Sequence, residues 1–197
     1  DKVRESENIT SILLKPADGQ ALPAFKPGQY MTIRISIPGE QYLMNRQYSL
    51  TCSPNKEYFR ISVKKELPGS SPDGKVSNYL HTYLNVGDRL EATAPAGDFT
   101  LDVMGSEPVY FIAGGVGITP FMSMLHTLSE KNPSREVILK HSVRNEQIRP
   151  FNKELKQLVQ KMPHFEAMFY LSDDKRRMTS EDLQGLDPKG IYYVCGP

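Results

Sequence analysis

Three short stretches hold the residues best suited to chemistry. The first is Gly114-Gly115-Val116-Gly117-Ile118-Thr119-Pro120, which follows the apolar and aromatic run Val109 to Ala113. Glycines let a backbone approach a ligand where a Cβ would clash. Beyond them, Ile118, Phe121, Met122, Leu125 and Leu128 fall at helical spacing. Pro120 suits a first helical turn, where an amide hydrogen would have no partner. Strand, glycine turn and helix together aim free N–H groups and a positive dipole end at one point, which favours a phosphate. The spacing is neither G-x-G-x-x-G nor G-x-x-x-x-G-K-[ST], so a tight turn that serves packing alone stays open.

The second stretch is Arg46-Gln47-Tyr48-Ser49. An Arg fork suits a pyrophosphate, a Tyr ring offers a stacking face, and a Ser offers a small donor and acceptor. An exposed strand with one buried Tyr would read the same way. The third is Gly74-Lys75-Val76-Ser77, in which a glycine, a cation and a hydroxyl open a short helix. An ordinary helix start is the competing reading. Cys52 and Cys195 are far apart, and His81, His126, His141 and His164 show no ligand spacing, so no metal centre is expected.

These stretches need elements to hold them. In the first half, Ile9 to Leu14, Tyr30 to Ile37, Gln47 to Thr51, Phe59 to Val63 and Leu90 to Ala94 read as short strands, several with period-two alternation. Glu66 to Gly74, rich in Pro, Gly and Ser, reads as a loop, and Val76 to Leu84 as a short helix. Many short strands between turn signals predict an antiparallel barrel. After a boundary near Asp102 to Pro108 the period changes. Strand 109–113, helix 118–130, strand 136–142, a helix marked by Phe151, Leu155, Leu158, Val159 and Met162, strand 165–171, a short capped helix at Thr179 to Asp182, and strand 191–194 alternate. That order predicts a doubly wound parallel sheet. The expected domains are 1–104 and 105–197.

Composition bounds the function. The 197 residues carry 24 basic and 23 acidic side chains, a net charge of +1, which argues against a nucleic-acid-binding face. No apolar run approaches the ~18 residues of a membrane span. Two cysteines exclude a disulfide framework or a cysteine-ligated iron–sulfur cluster, and a reducing cytoplasm fits them. The opening Asp1-Lys2-Val3-Arg4 has neither an initiator Met nor a signal peptide. The ending Cys195-Gly196-Pro197 falls at a strand tip. We expect a piece of a longer protein, truncated at its C-terminus.

Taken together the stretches resemble the ferredoxin–NADP reductase superfamily, and within it the reductase half of flavohaemoglobins. The likeness spans essentially the whole chain. It rests on Phe25-Lys26-Pro27-Gly28-Gln29-Tyr30, Arg46-Gln47-Tyr48-Ser49-Leu50, Gly74-Lys75-Val76-Ser77, Ala94-Pro95-Ala96-Gly97-Asp98-Phe99, Ala113 to Pro120, and Cys195-Gly196-Pro197, in that order. The resemblance implies a six-stranded antiparallel FAD-binding barrel followed by an NAD(P)-binding α/β domain. It implies Arg46 on the FAD pyrophosphate, Gln47 beside it, Tyr48 packed on the flavin, Ser49 near flavin N5 and Tyr30 against FAD. Gly74, Lys75, Val76 and Ser77 would hold the pyrophosphate. Gly114, Gly115, Val116, Gly117, Ile118 and Thr119 would hold the nicotinamide nucleotide. Cys195, with Gly196 and Pro197, would lie beside the nicotinamide, unless Cys195 is simply a small buried hydrophobe at a strand end.

The implied activity passes electrons from NAD(P)H through FAD to a one-electron acceptor. Ser49, Tyr48 and Cys195 are the implied catalytic set. In a flavohaemoglobin the acceptor is the haem of a separate globin domain, and the overall reaction is nitric oxide dioxygenation. A stand-alone reductase serving an oxygenase or ferredoxin is the first alternative, and a non-catalytic nucleotide-binding interaction module the second. NADH is the expected donor, with NADPH possible. His141-Ser142-Val143-Arg144-Asn145 ends the second parallel strand without an acidic residue before Glu146, and one Arg is a weak 2′-phosphate site.

Overall fold

A computed structural model describes residues 1–55, 57–66 and 74–197. The loop expected from Glu66 to Gly74 falls mostly on 67–73, outside the described residues. The first half comprises β1 (Lys2–Arg4), β2 (Ile9–Leu14), β3 (Tyr30–Ile35), β4 (Met44–Ser49), β5 (Phe59–Lys64), α1 (Lys75–Thr82) and β6 (Glu91–Ala92). The strands form two antiparallel sheets, β1-β2-β5 and β4-β3-β6. A bridge between Leu50 and Ile61 ties the second sheet to the first, and another between Tyr30 and Ala96 extends the pairing of β3. The result is an antiparallel barrel of six described strands. Its core takes Met31, Ile33, Leu50, Phe59 and Ile61 from the strands and Val76 and Leu80 from α1. The alternation of Met31, Ile33 and Ile35 is the one read from the sequence, and all three are buried.

The differences lie at the ends. β1 has only three residues, too few for a periodic signal, yet it pairs fully with β2. β4 begins at Met44, before the expected Gln47, because its pairing with β3 runs back to Ile35. Lys2 explains why the short helix α1 is stable. Its ammonium donates to the carbonyls of Leu80, His81 and Leu84, acceptors the helix end leaves free.

The second half comprises β7 (Val109–Gly114), a 3-10 turn (Gly115–Ile118), α2 (Thr119–Lys131), β8 (Val137–Val143), α3 (Asn152–Lys161), β9 (Phe165–Leu171) and β10 (Ile191–Cys195). The capping residues at Thr179 to Asp182 start a single 3-10 turn, Glu181–Leu183, and no longer helix. The sheet is parallel, in the order β10-β7-β8-β9. The chain steps outward from β7 through β8 to β9 and then returns to the other side of β7. Strand order therefore reverses between β7 and β10. In open α/β sheets the crevice beyond the carboxyl ends at such a reversal is where ligands seat.

α2 is buried along most of its length, with Phe121 stacked on Phe111 at 4.7 Å between centroids. Truncating such a ring to Ala costs about 3–5 kcal/mol. Phe99, at the end of the barrel half, reaches across to the rings of Phe121 and Tyr193 in the second half. No helix among the described residues is long and apolar enough to cross a membrane.

Candidate functional site

Register decides which barrel residues act together. Tyr30 pairs with Ser49, Met31 with Tyr48 and Ile33 with Arg46. Directly opposed residues share a face of a sheet. Tyr30 and Ser49 therefore lie on one face, and Tyr48 and Arg46 on the other. Gln47, opposite Thr32, joins the face of Ser49 and is exposed. Tyr48 is half-buried against the barrel core. Burial pushes its phenol up to about 12, partly offset by the Arg46 charge, so it stays a neutral donor. The exposed Arg46 guanidinium donates to the carbonyl of its neighbour Asn45, which leaves most of its fork free for a ligand. A Cβ on Gly97 would sit 2.8 Å from the Tyr30 ring, so the backbone there packs flush on the aromatic face.

Gly74 caps α1 with no side-chain partner, and no acidic residue stands in the first turn. The Ser77 hydroxyl donates to the Gly74 carbonyl, and a Cβ on Gly74 would come within 2.7 Å of it. The glycine is required by this turn itself. Val76 is buried in the barrel core, so it can serve a ligand only through its main chain. Lys75 reaches back to Glu40 at 2.6 Å, which ties the β3–β4 loop to the helix start. Arg46 therefore keeps free donors, whereas the Lys75 ammonium is already paired with Glu40 at a helix start without a side-chain cap.

At the strand reversal, the tips of β7 and β10 meet. Gly117 lies directly against the Cys195 carbonyl, and a Cβ on it would also come within 2.8 Å of the Gly196 nitrogen. Gly196 in turn abuts Gly114, where a Cβ would stand 2.8 Å from the Gly114 Cα. Gly115 is different. Space around it is open, but its φ of +52° is left-handed. Packing thus accounts for Gly117, and backbone conformation for Gly115. Ile118 is fully buried in the sheet–helix core. The Thr119 hydroxyl donates to the Val116 carbonyl and closes the turn. α2 then starts with Pro in its first turn and no acidic residue.

His141 on β8 holds this turn from below. Its Nε2–H donates to the Gly115 carbonyl at 2.8 Å. Burial brings the imidazole down to about 4, with the Gly115 bond opposing and the Arg149 charge adding to the effect, so it is neutral at pH 7. Cys195 is half-buried, and burial pushes its thiol up, so it is a neutral thiol and no thiolate nucleophile. Pro197 packs 3.3 Å from where a Gly114 Cβ would be.

The residues expected from the sequence therefore lie in two regions, with the barrel set divided between the two faces of the β3–β4 pair. One is the β3–β4 and α1 side of the barrel. The other is the junction of the turn after β7 with the end of β10. Two features were not legible in the sequence. Asp173, after β9, accepts from Asn145 Nδ2 at 2.9 Å and donates its own N–H to the Arg144 carbonyl. It supplies the acidic group that the end of β8 lacks in sequence. Arg60, Glu154 and His126 also converge, although about 94 and 28 positions separate the partners of their bonds. A lone Arg in a strand gives no signal of such a distant partner.

The arrangement fits two nucleotide cofactors. Gly97 covers one face of the Tyr30 ring and holds it in place, and the fork of Arg46 offers a charge on the barrel. The glycine junction at β7 and β10 offers main chain stripped of side chains at a sheet reversal.

Comparison with known proteins follows the same division. Residues 1–101 match the oxidoreductase FAD-binding domain family, and residues 111–197 the oxidoreductase NAD-binding domain family. A flavohemoprotein from Bacillus cereus is 44% identical over 210 residues, covering 100% of this chain and 52% of its own. A flavohemoprotein from Halalkalibacterium halodurans is 55% identical over 145 residues, covering 73% of this chain and 35% of its own. The chain spans about half the length of the curated relatives it matches. Among solved structures, the flavohem-like FAD/NAD-binding domain of nitric oxide dioxygenase from Vibrio cholerae superposes with a TM-score of 0.86. It is 36% identical, with 98% of this chain and 83% of that one covered.

Proposed function

The chain belongs to the family of oxidoreductases that join an FAD-binding domain to an NAD-binding domain, and from that premise we propose that it carries electrons from NADH through FAD to the haem of a globin domain, as part of a nitric oxide dioxygenase. The flavin, when bound, supplies the chemistry of accepting a hydride and releasing electrons singly. This chain's residues supply binding and alignment.

Arg46, Lys75 and the N–H groups at the start of α1, Gly74 to Ser77, bind the FAD pyrophosphate. Tyr48 forms an apolar wall that keeps its proton. Ser49 presents its hydroxyl on the same face as Tyr30, and Gln47 borders them. The main chain of Gly114 to Thr119 binds the nicotinamide nucleotide, with Ile118 anchoring that turn in the core. Cys195, with Gly196 and Pro197, forms the floor of the crevice as an uncharged group that does not attack a nicotinamide. Ser49, Tyr48 and Cys195 are the catalytic set of this reading. The domains are 1–104 and 105–197, the cytoplasm is the compartment, and NADH is preferred over NADPH.

The observation that carries this reading is the reversal of strand order at the Gly117–Cys195 junction. Such a reversal is where an open α/β sheet seats a nucleotide. Anaerobic NADH should bleach the flavin absorbance of the FAD-loaded chain, and a chain that stays colourless after FAD addition overturns the reading. A haem acceptor is tested by mixing in a ferric haem-globin domain and following haem reduction by absorbance.

A further inference from the structure

The two halves meet through a polar cluster as well as through Phe99. Arg60, on β5, lies at its centre. Its Nε donates to Thr51 Oγ1 at 2.9 Å and one terminal nitrogen donates to the Thr51 carbonyl at 2.6 Å. Its two terminal nitrogens also grip Glu154 on α3 at 2.8 and 2.9 Å. Glu154 Oε2 accepts a further bond from His126 Nε2, on α2, at 2.6 Å. The Arg60 guanidinium lies 5.7 Å from the ring centroid of Phe151, the left-handed residue that opens α3. One turn further along α2, Glu130 accepts from Ser53 at 2.8 Å.

The placement of these groups gives the cluster a lever. Thr51 stands two residues beyond Ser49 on the same extended chain, with its N–H on the Arg60 carbonyl. His126 stands on the helix whose first residue closes the Gly115–Ile118 turn. One guanidinium therefore bonds the strand that ends at Ser49 and, through Glu154 and His126, the helix that begins at the nucleotide turn. Buried ion pairs add little stability relative to a well-packed apolar replacement. A planar fork that meets a carboxylate with two bonds does fix relative orientation.

We propose that Arg60 is a positioning residue that, through Thr51 and Glu154, sets how the nicotinamide-binding turn is presented to the Ser49 strand. This rests on the two-cofactor reading above. Hydride transfer demands close, aligned reactants, so a small rotation of one half against the other lowers the rate without removing either binding site.

The test uses the FAD-loaded chain with Arg60→Lys, which keeps the charge but loses the fork, and with Glu154→Gln and Glu154→Ala. Expected are FAD affinity within twofold of wild type and a tenfold or greater fall in the rate at which saturating NADH reduces the flavin. Loss of the long-wavelength absorbance of nicotinamide stacked on flavin should accompany it. If Arg60→Lys does not fold, Glu154→Gln carries the same readouts. A role in stability alone would lower the melting temperature and leave the rate and the absorbance within twofold, which overturns the proposal. Should the wild-type chain bind no FAD, the two-cofactor reading falls, and spin-label distances between α1 and α3 decide the matter of orientation. A shifted or broadened distance distribution in Glu154→Ala upholds the role of the cluster, and an unchanged one overturns it.

Discussion

Gly117 lies so close to the Cys195 carbonyl that no side chain fits between the tips of β7 and β10. Gly117→Ala must push the strands apart, at a cost of about 1–3 kcal/mol for overpacking. The melting temperature should fall by roughly 2–4 °C for each kcal/mol in a chain of this length. Gly115→Ala meets open space and only a left-handed backbone, so about 1 kcal/mol is expected. Gly115→Val should retain FAD by fluorescence and lose NADH oxidation with an artificial acceptor. Normal turnover in Gly115→Val would mean that this turn serves packing alone.

Arg46 should matter for FAD and for nothing in the fold. It is exposed, and its bond within the chain is to the adjacent Asn45 carbonyl. Arg46→Ala removes a charge-assisted contact worth roughly 1.5–3 kcal/mol, equivalent to a rise in Kd of about 10- to 150-fold. Fluorescence titration measures it, and thermal unfolding of the FAD-free variant should match wild type. Equal FAD affinity would remove Arg46 from the site.

The sequence carried most of the architecture because the apolar periods are clean. Met31, Ile33 and Ile35 alternate, and Phe121, Met122, Leu125 and Leu128 repeat at helical spacing, so element types follow. What it could not carry is pairing. The split of Arg46 and Tyr48 from Ser49 and Tyr30 onto opposite faces depends on the β3–β4 register, which no single strand reveals. The packing role of Gly117 depends on the arrival of β10, far later in the chain, whereas Gly115 is set by its own left-handed backbone. Arg60 sits between Phe59 and Ile61 in an alternating strand, and nothing in that pattern points to Glu154, which α3 brings to it.

Acid should unfold the chain in two windows. Burial holds His141 at about 4 against an ordinary 6.5, so below pH 6.5 the unfolded chain takes up a proton that the folded one refuses. Stability should fall between pH 6.5 and 4, by about 3 kcal/mol for this group. Burial alone would raise the Glu154 carboxyl, but bonds from His126 and Arg60 and their charges bring it down to about 2. Its contribution is full above pH 4.5 and is lost as pH falls to 2. Glu5, which burial pushes above its ordinary 4.5, works in the opposite sense above pH 4.5, where the folded chain takes up its proton first, so it offsets part of the upper window. His141→Gln keeps a donor for Gly115 and should reduce the slope of the upper window, the remainder coming from His81, which burial also holds below 6.5, and Glu154→Gln should flatten the lower. Denaturant unfolding across pH 3 to 8 measures both, and an unchanged upper slope in His141→Gln would show that another group titrates there.

Asp173 is expected to set the nucleotide preference. The adenosine ribose in this sheet type lies near the end of the second strand, here β8. That strand ends without a carboxylate of its own, and Arg144 alone would invite a 2′-phosphate. Asp173 changes the balance because it is bonded to Asn145 and to the Arg144 carbonyl. A carboxylate there accepts from a 2′-hydroxyl and repels a phosphate. At an exposed site that repulsion is worth on the order of 1 kcal/mol for each charge, and Arg144 offsets part of it. NADH should therefore be the better donor, with NADPH still measurable. Asp173→Asn keeps an acceptor for Asn145 and removes the charge, so kcat/KM for NADPH should rise roughly fivefold to tenfold while that for NADH falls slightly. Adding Arg144→Ala to Asp173→Asn should reverse most of the NADPH gain, because the Arg is then the remaining attraction for the phosphate. Steady-state kinetics with both nucleotides decides it. A wild-type kcat/KM for NADPH well above that for NADH would refute the assignment of Asp173, and an unchanged ratio in Asp173→Asn would place the selectivity away from the end of β8.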